Sequence, residues 1–413
     1  MISADKVGKL REWLIVRDEG AEVLAKERED IRLLTQLPRA LNAYATGEEA
    51  GAWRSAFAAI ELTSSEAALS GPEQSRLIQQ LVVPAIAGSC NRTPDFAQTN
   101  ICPRVMELML KVAPPGKTVI DLEMGTGEFL VQAIDAGRGR VVKAEGYSEP
   151  IHRQVKLQPD DEERTRELAE LARVRIGLLL GAASVNINEK PASAYRLPPL
   201  GFQGAAPVIK PVTLYCVPWQ STDGDASRLN DSIGDARRLI ASKDFPHPNT
   251  AALLVPYSLV YGRDFKQGEI GNFCRARGLS AVIQLPAGSR GDPKDQPFLL
   301  IHQDVPHGYG ALPVLFIDAT RAPRASEHGK ILSGEGLRMI VEAFERRESV
   351  GQVYVAVHQV DINFFNQGFP SMGRLVEPPA EAEATLESMR EESDRLSREI
   401  SQLRGDLKDL FDR

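Results

Sequence analysis

The chain has 413 residues, 43% hydrophobic and 25% charged, which is enough for a sizeable core and more than one domain. Its formal net charge of −7 excludes coating nucleic acid by overall charge. Local basic faces stay open at Arg138, Arg140 and Lys143, at Arg237 and Arg238, or at Arg321 and Arg324. No apolar run approaches the ~18–20 residues of a membrane span, and Met1 to Lys6 leads straight into charged sequence, so a cytoplasmic chain without a signal peptide is expected.

The four cysteines, Cys90, Cys102, Cys216 and Cys274, form no Cys-x-x-Cys pair, and the six histidines are scattered. Neither a zinc site nor a disulfide framework is expected.

Residues 1–88 read as a helical module, with Leu10, Trp13, Leu14, Val23, Leu24, Ile31, Leu33 and Leu34 at helical intervals. Gly71-Pro72 is expected to interrupt it, with a further helix over 73–86. Pro103 suits the first turn of a helix whose apolar face is Val105, Leu108, Met109 and Val112, ended by Pro114-Pro-Gly116.

Thr118 to Asp121 reads as a short buried strand ending in an acid, Gly125-Thr-Gly127 as a tight turn, and Phe129 to Ile134 as the start of a helix. Strand, glycine turn and helix let a backbone approach a ligand closely. The strand-end acid suits a cationic or hydroxyl-bearing ligand better than a phosphate. Leu130 stands where a dinucleotide fingerprint needs its third glycine, which disfavours a nicotinamide site. On the motif alone, a plain strand–turn–helix of an α/β sheet is the competing reading.

Val141 to Glu145 reads as a second strand ending in an acid, the usual clamp for the hydroxyls of an adenosine ribose. A helix follows over 156–182, with Leu168, Leu171, Val174, Leu178 and Leu179 on its apolar side. Further strands are expected over 184–188, 211–219, 251–255, 280–285, 297–301 and 313–317, with helices near 236–242, 269–277 and 334–347. Continuous apolar strands alternating with helices predict a mostly parallel sheet covered on both faces.

After Pro378-Pro379, Leu386, Met389, Ser393, Leu396, Ile400, Leu403, Leu407 and Leu410 step by threes and fours. That is a coiled-coil seam of about four heptads.

With these pieces in order, residues 95–375 resemble the modification subunit of type I restriction enzymes, in the adenine-N6 DNA methyltransferase family. Its Thr-Pro-Arg resembles Cys102-Pro103-Arg104, and its Asp-Pro-Ala-Cys-Gly-Thr-Gly-Gly-Phe-Leu resembles Asp121-Leu-Glu-Met-Gly-Thr-Gly-Glu-Phe-Leu130. Its Leu-Ala-Arg-Met-Asn helix resembles Leu171-Ala-Arg-Val-Arg175. Leu254-Val-Pro256, Ala281 to Pro286 and Val314 to Ala319 resemble its later strands.

The resemblance implies an α/β fold: a Rossmann-like S-adenosylmethionine-dependent methyltransferase sheet over 89–376, a helical module over 1–88, and a linker with a coiled-coil helix over 377–413. It implies S-adenosylmethionine held by Cys102, Pro103, Asp121, Gly125, Thr126, Gly127, Phe129 and Glu145, with Glu145 on the ribose. It implies double-stranded DNA as partner, an adenine turned out of the duplex, and a specificity-type subunit or a second copy bound through Leu386–Leu410.

The departure lies in the catalytic loop. The family's Asn-Pro-Pro-aromatic is here Cys216-Val-Pro218-Trp219. Pro218 and Trp219 suit the loop, and Trp219 suits stacking on a base. A thiol does not replace the amide acceptor, a loss worth several kcal/mol at a reacting centre, on the scale of about 3 kcal/mol for one oxyanion-hole donor. Cys102 for Thr, and Glu123-Met124 for Ala-Cys, are further departures. Asn230, Asp231 and Asn249 lack the Pro-Pro-aromatic that would make them substitutes. Two functions follow: a weak or partner-dependent adenine methyltransferase, or a pseudoenzyme binding DNA or a partner in a restriction or phage-defence complex. A small-molecule or RNA methyltransferase has less support in the later strands.

Overall fold

The computed structural model describes residues 1–16, 23–87, 103–147, 159–189, 210–216, 226–241, 250–261, 265, 268–275, 278–289, 296–303, 313–324, 332–351, 354–366 and 369. The expected coiled-coil seam over 386–410 lies outside them.

The N-terminal module is helical, with α1 (Ala4–Val16), α2 (Val23–Thr46), α3 (Arg54–Ala59), α4 (Ser64–Ala67) and α5 (Gly71–Ala87). Leu10, Leu14, Leu34, Leu41, Trp53, Phe57 and Leu81 form its core. The buried Trp53 indole N–H donates to the Leu33 carbonyl at 2.9 Å, so its one polar atom is satisfied. Gly71-Pro72 does not interrupt this module; it is the first turn of α5. Ser70 caps that turn by donating its N–H and hydroxyl to Glu73 at 2.9 and 2.8 Å. A proline so early in a helix costs no intrahelical bond.

The remaining helices are α6 (Pro103–Val112), α7 (Glu128–Ala136), α8 (Pro159–Leu180), α9 (Ala226–Ala241), α10 (Tyr257–Val260), α11 (Glu269–Arg275) and α12 (Gly334–Arg346). The strands are β1 (Thr118–Asp121), β2 (Lys143–Tyr147), β3 (Val185–Asn188), β4 (Val212–Cys216), β5 (Thr250–Val255), β6 (Leu279–Gln284), β7 (Phe298–Gln303), β8 (Val314–Asp318) and β9 (Ala356–Val360).

They form one nine-stranded sheet in the order β3-β2-β1-β4-β5-β7-β6-β8-β9. The pairings from β3 to β5 and between β6 and β8 are parallel. β7 inserts antiparallel between β5 and β6, and β9 is antiparallel to β8. The C-terminal ends of β1, β2, β4, β5, β6 and β8 therefore share one edge. β9 escaped sequence reading because Ala356, Val357 and His358 are only half-buried at the sheet margin, so its apolar signal is weak.

Alternate residues feed the two faces. Val119 and Tyr215 meet α6, α7 and α12 on one side, whereas Ile120, Leu214 and Cys216 meet α9 and α11 on the other. β2 begins two residues later than its apolar pattern predicts. Val141 is buried against Gly137 in the turn before it, and Val142 is exposed.

α8 joins the two halves of the chain and carries two apolar faces, not one. Leu168 and Leu171 enter the module core, and Val174 and Leu178 pack on it. Ala169, Ala172 and Ile176 enter the core under the sheet, and Leu179 packs there. Ion pairs reinforce the module side: Arg28 to Glu163 at 3.1 Å, Arg32 to Glu163 at 2.7 Å and Arg32 to Glu167 at 2.6 Å.

Candidate functional site

β1 delivers Asp121 to the shared edge, and the chain turns through Leu122–Gly127 into α7. Gly125 at φ 49° and Gly127 at φ 77° occupy left-handed backbone that side chains resist. A Cβ on Gly127 would sit 3.0 Å from the Ala172 Cβ of α8. The Gly127 N–H closes the turn on the Met124 carbonyl at 2.7 Å. Leu122 N–H donates to the Tyr215 carbonyl at 3.0 Å and Met124 N–H to the Tyr147 carbonyl at 3.1 Å. The loop is thus tied to β4 on one side and β2 on the other, and every residue from Asp121 to Gly127 is buried.

Three carboxylates lie buried in these elements: Asp121, Glu123 and Glu145. Asp121 accepts the Glu123 N–H at 3.1 Å through Oδ1, while Oδ2 has no hydrogen-bond partner among the described residues. Burial, with the Glu123 charge adding to it, pushes the Asp121 carboxyl up to about 8. Burial also raises Glu145, offset in part by the hydroxyl that Tyr147 donates to it and by the Lys143 charge. Glu145 does not end its strand, as the sequence pattern predicts. It stands at the centre of β2, in register with Ile120 of β1 and Asn186 of β3.

The other predicted residues divide. The Thr126 carbonyl and hydroxyl turn to Arg175 of α8, accepting from Nη1 at 2.7 and 3.2 Å. Phe129 is buried against Tyr215, ring centroids 4.7 Å apart, and so braces the loop from the core. Pro103 is the exposed first residue of α6. Cys216 ends β4 opposite Leu253 of β5, with its side chain 1% exposed in the core shared with Ile120 and Leu214. Cys102, Pro218 and Trp219 lie outside the described residues.

Sequence reading missed the residues that hold the loop. Arg175, with a fully buried side chain, also donates to Glu128 at 2.8 Å. Glu128 further accepts from Gln132 at 2.9 Å and from Gln79 of α5. The available signal was a pair of departures from the family pattern, Glu128 for glycine and Arg175 for asparagine, whose charges are opposite.

The basic clusters also separate. Lys143 is buried at the start of β2, away from the site edge, so the cluster with Arg138 and Arg140 is no open basic face there. Arg237 pairs with Glu269 at 2.6 Å, and Arg238 pairs with Asp235. Arg321 and Arg324 are exposed just after β8, on the shared edge. Among the described residues, no group of His, Cys, Asp and Glu is arranged to hold a metal ion, and no helix is long and apolar enough to cross a membrane.

This sheet, with helices on both faces and a glycine loop after its first strand, is the fold of S-adenosylmethionine-dependent methyltransferases. The chain is similar to a class I S-adenosylmethionine-dependent methyltransferase, itself described as putative, from Listeria monocytogenes. The TM-score is 0.51 at 17% identity, over 83% of this chain and 99% of that one. It is also similar to a modification subunit of a putative type I restriction enzyme from Vibrio vulnificus, with TM-score 0.50 and 14% identity over 87% and 93% of the two chains. A type I restriction-modification methyltransferase subunit from Streptococcus thermophilus matches at TM-score 0.47 and 16% identity, over 90% and 80%. No protein-family model matches the sequence, and no curated protein matches it at a significant level.

Proposed function

We propose that the chain is a modification-subunit-like protein that binds S-adenosylmethionine and double-stranded DNA and has lost methyl transfer of its own at Cys216. The observation that carries this reading is Asp121: a carboxyl 1% exposed, at the end of β1, with one oxygen lacking a hydrogen-bond partner. Such an atom is costly unless a ligand satisfies it.

The residues present fit the cofactor. Its ammonium and sulfonium suit Asp121, and its ribose hydroxyls suit Glu145, in exchange for the bond from Tyr147. Bound, it supplies a methyl group on a positively charged sulfur. Asp121 would release its proton to solvent beside that cation, because an opposite charge favours its ionised form. The loop backbone at Gly125 would approach the ligand without an intervening Cβ, whereas the bare Cα of Gly127 makes room for Ala172 and Ile176 of α8. Arg321 and Arg324, exposed on the same edge, suit the phosphates of a duplex docked there.

Loss of transfer follows from the end of β4. An adenine amino group needs an acceptor as its nitrogen attacks the methyl. Cys216 offers a weakly accepting thiol, buried with Ile120 and Leu214. The competing reading is an active adenine-N6 methyltransferase. The separating experiment is calorimetric titration with S-adenosylmethionine beside a methyl-transfer assay on adenine-rich duplex, for the natural protein and Cys216→Asn. We expect both to bind the cofactor and only the asparagine variant to transfer. Transfer by the natural protein would overturn the loss of chemistry. Failure of the natural protein to bind would overturn the cofactor reading.

A further inference from the structure

We propose that the N-terminal helical module acts as a positioning element for the glycine loop, through Gln79 and the Glu128–Arg175 pair, so that ligand affinity at the loop depends on how the module is seated. The ligand part rests on the reading above; the mechanical part does not.

The route is short and continuous. α5 packs closely on α8: a Cβ on Gly71 would lie 2.4 Å from the Leu178 carbonyl oxygen. α2 is pinned to α8 by the pairs from Arg28 and Arg32 to Glu163 and Glu167. α8 in turn grips the loop at two points. Ala172 and Ile176 close on Gly127, leaving no room for a Cβ. Arg175 holds the Thr126 carbonyl at 2.7 Å and the Glu128 carboxylate at 2.8 Å.

Gln79 adds a direct link. It is a half-buried residue of α5 whose amide donates to the other oxygen of Glu128. Glu128 is therefore shared between the module and α8, at the first residue of the helix that follows the loop. A shift of α5 or α8 moves Glu128 and Thr126 with it, because close-packed interiors pass displacement on. Gln79 touches neither Asp121 nor Glu145 in the described contacts; it acts through Glu128.

The test uses the full chain with Gln79→Ala and Gln79→Glu. Hydrogen–deuterium exchange of peptides covering 118–130 is followed without ligand, and S-adenosylmethionine affinity is measured separately by calorimetry. Gln79→Glu sets a like charge against Glu128. It is expected to speed exchange at the loop about tenfold, as local opening does, while peptides from β5 to β8 keep their rates. Cofactor affinity is expected to fall about tenfold, with Gln79→Ala intermediate.

Unchanged loop exchange in Gln79→Glu, or acceleration spread evenly over the chain, would overturn the proposal. A natural protein that binds no cofactor, yet whose loop alone responds to Gln79→Glu, supports the positioning role and defeats only the ligand reading. A natural protein that binds, with loop and affinity indifferent to Gln79, defeats the positioning role alone.

Discussion

Arg175 and Glu128 form a charge pair 2.8 Å long across the α8–α7 contact, the arginine side chain fully buried and the glutamate 16% exposed. Both residues depart from the pattern the loop resembles, as Glu123 and Met124 also do, but these two meet each other. A buried guanidinium needs a partner, and a carboxylate in place of glycine provides it.

The coupling is measurable. Glu128→Gln leaves Arg175 buried without its counter-charge and is expected to destabilise by about 2–4 kcal/mol, discounted from a fully buried pair because Glu128 is part-exposed. Arg175→Asn is expected to cost a similar amount by releasing Thr126 and Glu128 together. The double change Glu128→Gly with Arg175→Asn is expected to cost less than the sum of its single changes, with a coupling of about 1–3 kcal/mol in urea unfolding. Strict additivity would mean that the two residues do not depend on one another.

Asp121 governs the pH response of the ligand-free protein. Its carboxyl is pushed up to about 8, whereas the unfolded chain releases that proton near the ordinary aspartate value of 3.8. Between those values the folded state holds a proton that the unfolded state lacks, so stability falls as pH rises through the window, by up to about 1.4 kcal/mol per unit. Glu145, also raised, acts in the same direction. Asp121→Asn is expected to remove the Asp121 share of the slope, raising the melting temperature more at pH 8 than at pH 5. In the natural protein, cofactor binding is expected to strengthen as pH rises to about 8, to level off above it and to release protons below it, seen as a binding heat that varies with buffer ionisation enthalpy. A variant with the natural slope would show that Asp121 ionises normally.

Much of this was legible in the sequence for a simple reason. Strands buried on both faces, such as Leu253-Leu-Val255 and Val314-Leu-Phe-Ile317, are continuously apolar, and their flanking glycines and prolines mark their ends. The loop glycines were legible because only glycine suits their backbone angles. The antiparallel insertion of β7 was not, because an apolar run carries no direction. The centring of Glu145 within β2 was not, because apolar pattern reads burial and not pairing: Val141 is as apolar as a strand residue yet belongs to the preceding turn. The Gln79–Glu128 contact joins residues 49 apart in sequence, and no local pattern reports it.

The C-terminal seam makes a prediction independent of the site. We propose from the sequence spacing of Leu396, Leu403 and Leu410, with charges between them, that this segment pairs with another helix. Truncation after Pro379 is expected to leave the circular dichroism of the sheet unchanged while abolishing self-association or capture of a partner subunit, measured by light scattering on a sizing column. A truncated protein with the full-length assembly state would sink the idea.

Arg321 and Arg324 carry the last prediction. Of the three basic clusters in the sequence, this one remains exposed on the edge that holds the glycine loop, since Arg237 and Arg238 lean on Glu269 and Asp235 and Lys143 is buried. Contacts to phosphate contribute uniformly across sequences and release counterions, so their removal shows in the salt dependence more than in specificity. Arg321→Ala and Arg324→Ala are each expected to weaken duplex binding and to lower the slope of log affinity against log salt by about one, with the double variant lower by about two. Cofactor affinity is expected to hold in both, because neither residue adjoins Asp121 or Glu145 in sequence or strand pairing. A single variant with lowered duplex affinity but an unchanged salt slope would mean that the arginine supports the surface by its contacts within the protein. For Arg324 one such contact is the Thr320 carbonyl, to which it donates at 3.3 Å.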